Sequence, residues 1–162
     1  MAYSMNEIYA KALKLLSRKN YFTAELERKL SETYPDEDLL SVTKRLTEDG
    51  FLNDARVFRG YVRWKLESGY GPYYIREKLY QRGVEHSVQE IAEAALKEEL
   101  DIDAVIVSVI NKYRKTRKKT TGGEFARPCL NYLRGRGFDL SDSLRILKKE
   151  VVENESDFFE GC

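Results

Sequence analysis

The chain repeats itself at an interval of 49 residues, and that period limits the folds open to it more than any other feature. Ile8, Ala12 and Leu15 form a helical stripe at spacings of four and three. Val57, Tyr61 and Trp64 form the same stripe one period later, and Ile106, Ile110 and Tyr113 form it again after another 49. Between the first two copies the register holds without a gap for about forty positions. Tyr21 matches Tyr70, Leu26 matches Ile75, Lys29 matches Lys78 and Leu30 matches Leu79. Further on, Leu39, Val42 and Leu46 match Val88, Ile91 and Ala95.

Within each copy the apolar residues recur every three or four positions, the pattern of amphipathic helices sharing one core. Strand-length alternation is absent. Each copy therefore predicts three short helices, and the expected fold is all-α: three tandem three-helix repeats forming an elongated modular array. Boundary chemistry points the same way. Ser4 with Glu7, and Ser87 with Glu90, have the spacing of a capping box. Pro72 suits a first helical position, where its missing N–H leaves nothing unpaired. Gly50, Gly83 and Gly137 suit left-handed C-terminal caps. The three prolines, at 35, 72 and 128, all fall where a helix is expected to begin or end. The third copy is looser. It gains five residues within Arg114–Gly123, so that Cys129 and Leu133 align with Ile75 and Leu79 at a spacing of 54, and Leu144, Leu147 and Val151 fit only approximately. The resulting frame is repeat one at 1–51, repeat two at 52–100, repeat three with its basic insertion at 101–152, and an acidic tail at 153–162 expected to fray or be disordered. A unit of about fifty residues makes a marginal core alone, so neighbours should share burial as repeat proteins do.

Composition narrows the class. Hydrophobic residues make up 42% of the 162 and charged residues 34%, which fits a folded and strongly solvated helical protein. The net charge of +1 gives no global bias toward polyanions, so the local distribution of charge decides. Two cysteines in different contexts, Cys129 and Cys162, suit a reducing compartment better than a disulfide framework. Met1–Glu7 has no positive segment leading into an apolar run, and no stretch approaches the ~18 apolar residues of a membrane span. These features predict a cytoplasmic monomer without a membrane segment.

The search for catalytic chemistry finds little. His86 is the only histidine, expected as a solvated residue at a turn just before a helix cap. One His and two separated Cys make no zinc set. Gly69-Tyr70-Gly71-Pro72 has no preceding strand and no following Lys-Ser/Thr, so it is not a phosphate loop. No catalytic residue, metal or cofactor is expected. The basic segment carries more signal: Lys112, Arg114, Lys115, Arg117, Lys118 and Lys119 place six positive charges within eight residues, followed by Arg127, Arg134 and Arg136. Such a cluster can neutralise phosphates and release counterions. The plainer reading is a solvated helix end whose cations favour the helix dipole. Among eleven tyrosines, Tyr70, Tyr73 and Tyr74 crowd together beside Arg76, and this set is the candidate for partner contact, since aromatic and Arg side chains concentrate interface energy. Covering their own small core is the alternative role for these tyrosines.

Three stretches resemble the RecX family. They are Asp49-Gly50-Phe51-Leu52-Asn53-Asp54-Ala55-Arg56 followed by Phe58 and Tyr61-Val62; Gly69-Tyr70-Gly71-Pro72 with Ile75-Arg76-Glu77-Lys78-Leu79 and Arg82-Gly83-Val84; and Leu15-Leu16-Ser17-Arg18-Lys19-Asn20-Tyr21 with Glu25-Leu26 and Lys29-Leu30. The resemblance covers about 6–150, with Tyr34 standing where the repeat calls for glycine. It implies tandem three-helix repeats, a cytoplasmic location and no catalysis. It also implies a regulator in DNA repair, recombination and the SOS response that binds the filament of the RecA recombinase on single-stranded DNA and inhibits its ATPase and strand exchange. Two other readings stay open: a DNA-binding module of helix-turn-helix character, and a helical scaffold for another protein partner.

Overall fold

The computed structural model describes residues 3–97, 99–117 and 122–160; within these, the side chains at 87, 88, 91, 92, 95, 122, 123 and 154–160 lie outside the description. Among the described residues there are nine helices and no strand: α1 (Met5–Leu16), α2 (Thr23–Ser31), α3 (Asp36–Glu48), α4 (Asp54–Glu67), α5 (Pro72–Gln81), α6 (His86–Lys97), α7 (Ile102–Thr116), α8 (Gly122–Gly135) and α9 (Leu140–Glu160). None of them is long and apolar enough to cross a membrane. The all-α expectation holds. The chain forms two compact units, Met1–Tyr61 with Leu79–Glu93 and Val62–Lys78 with Ala94–Cys162, a division that differs from the 49-residue frame.

In the first unit α3 packs on α1 and α2. Ile8, Ala12, Leu26, Leu30, Leu39, Val42, Leu46 and Leu52 form one core cluster. Ser4 caps α1 in the expected capping box with Glu7. The start of α2 is tied down differently. The Thr23 N–H and hydroxyl both donate to Asp54 Oδ1, at 2.8 and 3.0 Å. Glu25 accepts from the Phe22 N–H at 3.0 Å and receives a bidentate pair of bonds from Arg82, at 2.7 Å from Nε and 2.9 Å from Nη2. Lys19 adds a second cation at 3.8 Å. The Arg82 guanidinium also lies over the rings of Phe22 and Tyr61, at 4.7 and 5.0 Å. Burial alone would raise the Glu25 carboxyl. The hydrogen bonds from Arg82 and Phe22 and the charges of Arg82 and Lys19 outweigh it and hold the group below the ordinary carboxylate value.

In the second unit α7, α8 and α9 pack on one another around Ile106, Val109, Ile110, Tyr113, Phe125, Cys129, Leu133, Phe138, Ile146 and Leu147. The turn after α8 meets the start of α5 backbone to backbone. The Gly71 N–H donates to the Arg136 carbonyl at 2.7 Å and the Tyr73 N–H to the Gly137 carbonyl at 3.0 Å. A methyl group on Gly71 would lie 2.4 Å from the Gly137 oxygen, and one on Gly137 would lie 2.4 Å from the Tyr74 nitrogen. Gly137 also has φ +88°, which L side chains rarely adopt.

Several expectations need correction. In α4 the buried positions are Phe58, Val62 and Leu66, while Trp64 is 56% exposed. The stripe Val57–Tyr61–Trp64 is thus one residue, about 100° of helix, off the buried face. In α9 Leu144 is exposed, and Ser143, Ile146 and Leu147 turn inward. Helix α6 begins at His86, and the Ser87 side chain expected to cap it lies outside the described set. The Gln89 N–H there donates to the Glu85 carbonyl, and the buried Gln89 side chain donates to the Val84 carbonyl. Pro128 lies inside α8, neither at its beginning nor at its end. It forfeits a helical hydrogen bond, a cost of about 3 kcal/mol, which burial of its neighbours Phe125, Cys129 and Leu133 offsets. Finally, α9 continues to Glu160, into the segment expected to fray, since neither Gly nor Pro interrupts the chain from Leu140 to Glu160. Val88, Ile91 and Ala95, the expected core of α6, have side chains outside the described set.

Leu30 and Leu79, matched by the repeat, are both buried, at 3% and 1% exposure. Truncating either to alanine is expected to cost roughly 2–5 kcal/mol in chemical denaturation; less than about 1 kcal/mol at Leu79 would contradict its core placement. Gly71→Ala forces backbone atoms apart and is expected to lower the melting temperature by several degrees, whereas Gly60→Ala, with open space at its added methyl, is not expected to lower it. Because the Glu25 carboxyl is held down in the folded state, its contribution is full above the unfolded pKa of about 4.3. That contribution is lost as pH falls through the lower folded value. Glu25→Gln should therefore destabilise the protein by about 3 kcal/mol near neutrality, and its gap to the wild type should close on acidification. A gap that stays constant from pH 7 to the acid limit would rule out the linkage.

Candidate partner-binding surface

The tyrosines singled out from the sequence sit at the start of α5, and the structure divides them by role. Tyr70 and Tyr74 stack on each other with centroids 4.2 Å apart. The Arg136 guanidinium lies 4.5 Å from the Tyr70 centroid and 5.1 Å from that of Tyr132, and it donates to the Tyr132 hydroxyl at 2.7 Å. Lys65 reaches the Trp64, Tyr70 and Tyr74 rings at 4.2, 5.1 and 5.7 Å. Tyr70 and Tyr74 are half-buried members of this layered group, and they stand beside the Gly71–Gly137 contact. Tyr73 faces outward, 55% exposed, with its hydroxyl 3.5 Å from Asp139 and the half-buried Arg76 guanidinium 6.0 Å from its ring.

The basic candidates divide in the same way. Lys112, Lys115 and Arg117 are exposed at the C-terminal end of α7, and Arg127 and Arg134 are exposed on α8. Arg114 is half-buried and lies over the Phe125 ring at 5.2 Å, while Arg117 lies over Tyr113 at the same distance. Arg136 belongs to the tyrosine group. The set expected from the sequence therefore mixes side chains held against aromatic rings with side chains presented to solvent. Lys118 and Lys119 lie outside the described residues.

Sequence reasoning missed two sets of residues. One is the Glu25–Arg82 pair, 57 positions apart, for which no local spacing exists. The other is the solvent face of α4, where Arg56, Arg59, Gly60, Arg63 and Trp64 are all exposed. Their spacing of i, i+3, i+4, i+7 and i+8 is readable in the sequence, but the repeat register places Trp64 on the core face.

Among the described residues no group of three or more His, Cys, Asp or Glu is placed to hold a metal ion. His86 opens α6 with its exposed ring 3.5 Å from Glu90. Burial pushes the Cys129 thiol up to about 11, against a smaller opposing effect from Arg114, which leaves it a packed apolar group with almost no thiolate.

A domain model described as the second three-helix domain of RecX matches residues 53–96, the span of α4 to α6. Among curated proteins, the chain is 40% identical over 82 residues to a regulatory protein RecX of Pseudomonas fluorescens, a stretch covering 50% of this chain and 53% of that one. It is 37% identical over 91 residues to that of Pseudomonas entomophila, covering 56% and 57%. The chain thus spans about half the length of the curated relatives it matches. A crystal structure of RecX from Lactobacillus salivarius shares the fold with a TM-score of 0.74 at 22% identity, over 91% of this chain and 96% of that one. A second RecX crystal structure aligns with a TM-score of 0.65, also at 22% identity, over 88% of this chain and 70% of the other. The matched domain contains the Gly69–Val84 motif quoted from the sequence and overlaps the end of the Asp49–Arg56 one, and this chain is thus similar to RecX proteins in its central domain, in about half its length and in its fold.

Proposed function

We propose that this chain is a non-catalytic regulator that binds the RecA filament on single-stranded DNA and restrains its ATP hydrolysis and recombinase activity in the cytoplasm. The observation that carries this reading is the match of residues 53–96 to a RecX domain, in a chain whose exposed features are cations and aromatics. Within this proposal the repeats at 1–51, 52–100 and 101–152 act as linked contact units. Weak sites held on one chain act at high effective concentration, so their joint affinity exceeds either alone. Tyr73 and Arg76 are proposed to touch protein, and Lys112, Lys115, Arg117, Arg127 and Arg134 to run near DNA, with Arg114, Arg136, Tyr70 and Tyr74 holding the surface from beneath. Lys118 and Lys119 extend the same basic run in sequence. The protein acts as a monomer and needs no cofactor.

Deleting a repeat would be a poor test. Removing the chain from Asp101 onward would also strip Gly71 and Tyr73 of their carbonyl partners. Substitutions that leave the aromatic stacks intact are cleaner. Steady-state ATP hydrolysis by RecA from the same organism on single-stranded DNA should fall as this protein is titrated to concentrations near that of RecA. Tyr73→Ala with Arg76→Ala should weaken that inhibition by about tenfold or more, as loss of two interface anchors does. Reversing Lys112 and Lys115 to Glu should flatten its salt dependence while leaving thermal stability nearly unchanged, because exposed charges contribute little. No inhibition by the wild-type protein would sink the assignment.

A further inference from the structure

We propose that the solvent face of α4 is a binding site for single-stranded nucleic acid, in which Arg56, Arg59 and Arg63 hold phosphates, Gly60 lets the strand approach the helix backbone, and Trp64 stacks on a base. The argument rests on α4 itself and does not depend on the recombinase reading.

Gly60 is the seventh residue of a fourteen-residue helix. Glycine is among the least favourable residues for a helix interior. Where a fold demands one, the cause is a positive φ or a close neighbour, as at Gly71 and Gly137. Gly60 has neither: its φ is not positive, and a methyl group added there meets nothing within 4 Å. Among the described residues no packing contact explains the absence of a side chain. A flat spot on a helix is what a ligand needs to come close to the backbone.

The residues around that spot identify the ligand. Arg56 and Arg63 lie one turn before and one turn after Gly60, and Arg59 lies beside it; all three are exposed. Arg63 meets an acid, Glu99, only at 3.6 Å, with both side chains half in solvent. Guanidinium groups grip phosphates through paired N–H donors, and successive arginines here are offset by roughly 4.5 and 6 Å along the helix, a spacing suited to consecutive phosphates of one strand. One turn beyond Gly60 stands Trp64, 56% exposed, with Lys65 Nζ 4.2 Å from its ring. Cations beside an exposed indole make a stacking platform for bases. An acidic protein surface would satisfy the arginines but would leave unexplained the exposed indole beside them. At the other end of the face Arg56 borders an open groove of ≈ 530 Å³, also lined by Tyr21 and the 52%-exposed Phe51, which extends the cationic–aromatic character of the site.

Trp64 is the single tryptophan of the chain, so its emission reports this site directly. The test is to titrate the full-length protein alone, with no RecA, with oligothymidylate while following that emission at several salt concentrations. Quenching that saturates and weakens with salt is expected. Arg56→Ala and Arg59→Ala should each reduce the slope of log K against log salt by about 0.7. Gly60→Gln should raise the melting temperature, since it replaces a poor helix former, and yet weaken binding about tenfold by covering the stacking approach. A more stable protein that binds less well cannot be dismissed as misfolded. Unchanged emission at saturating oligothymidylate, wild-type affinity in Gly60→Gln, or quenching by polyglutamate in its place, marking an acidic protein partner, would each overturn the proposal. Inhibition of RecA in the separate ATPase assay stands or falls independently of these results.

Discussion

Two backbones in the second unit come closer than any pair of side-chain-bearing residues permits. The segment Gly71–Tyr73 donates two N–H bonds to the Arg136 and Gly137 carbonyls, with no room for a Cβ on either Gly71 or Gly137. This one contact sets where α5 begins relative to the end of α8. The layered group of Tyr70, Tyr74, Arg136 and Tyr132 assembles against it, and Tyr73, next in line after Pro72, is thereby turned outward. A glycine-rich tetrapeptide that looks like a phosphate loop without a strand is instead a point of close helix-end approach. Its chemistry is steric, and the surface proposed to meet a partner stands on it.

The period of the sequence was enough to read the helices, because 3.6-residue spacing is a local property that a repeat displays several times over. Ile8, Ala12, Leu26, Leu30, Leu39, Val42 and Leu46 follow from it and are buried, as are Leu79, Ile106, Ile110, Cys129 and Leu133. The period misled at α4. Matching Trp64 to Leu15 assumed that equal register means equal burial, whereas Phe58, Val62 and Leu66 supply a wider apolar face one position round the helix. A repeat transmits backbone register faithfully. It transmits the direction of the core only where the neighbouring helices also repeat.

The candidate site was legible as composition and not as arrangement. Clusters of Lys/Arg and of Tyr could be counted along the chain. That Arg136 belongs with Tyr70, 66 positions away, and Arg114 with Phe125 depends on how α5, α7 and α8 come together. The Glu25–Arg82 pair was hidden for the same reason, although both residues lie in stretches that carried the family resemblance. In this chain those motifs carry packing chemistry: Gly71 and Arg82 both act inside the molecule.

Arginine does two distinct kinds of work in this chain, and its net charge of +1 conceals the difference. Arg82 and Arg136 use the planar guanidinium as a packing surface, stacking on rings while making directed hydrogen bonds, and Arg145 grips Asp103 with two bonds at 2.9 and 2.8 Å. A lysine ammonium, compact and strongly hydrated, offers neither the flat face nor the fork. On α4 the same residue type stands in solvent around a glycine, with a 3.6 Å contact from Arg63 to the half-exposed Glu99. Salt screens exposed charges of this kind far more than partly buried, hydrogen-bonded pairs. Ionic strength therefore acts chiefly on what this protein binds and much less on how it folds, which separates recognition from stability within one residue type.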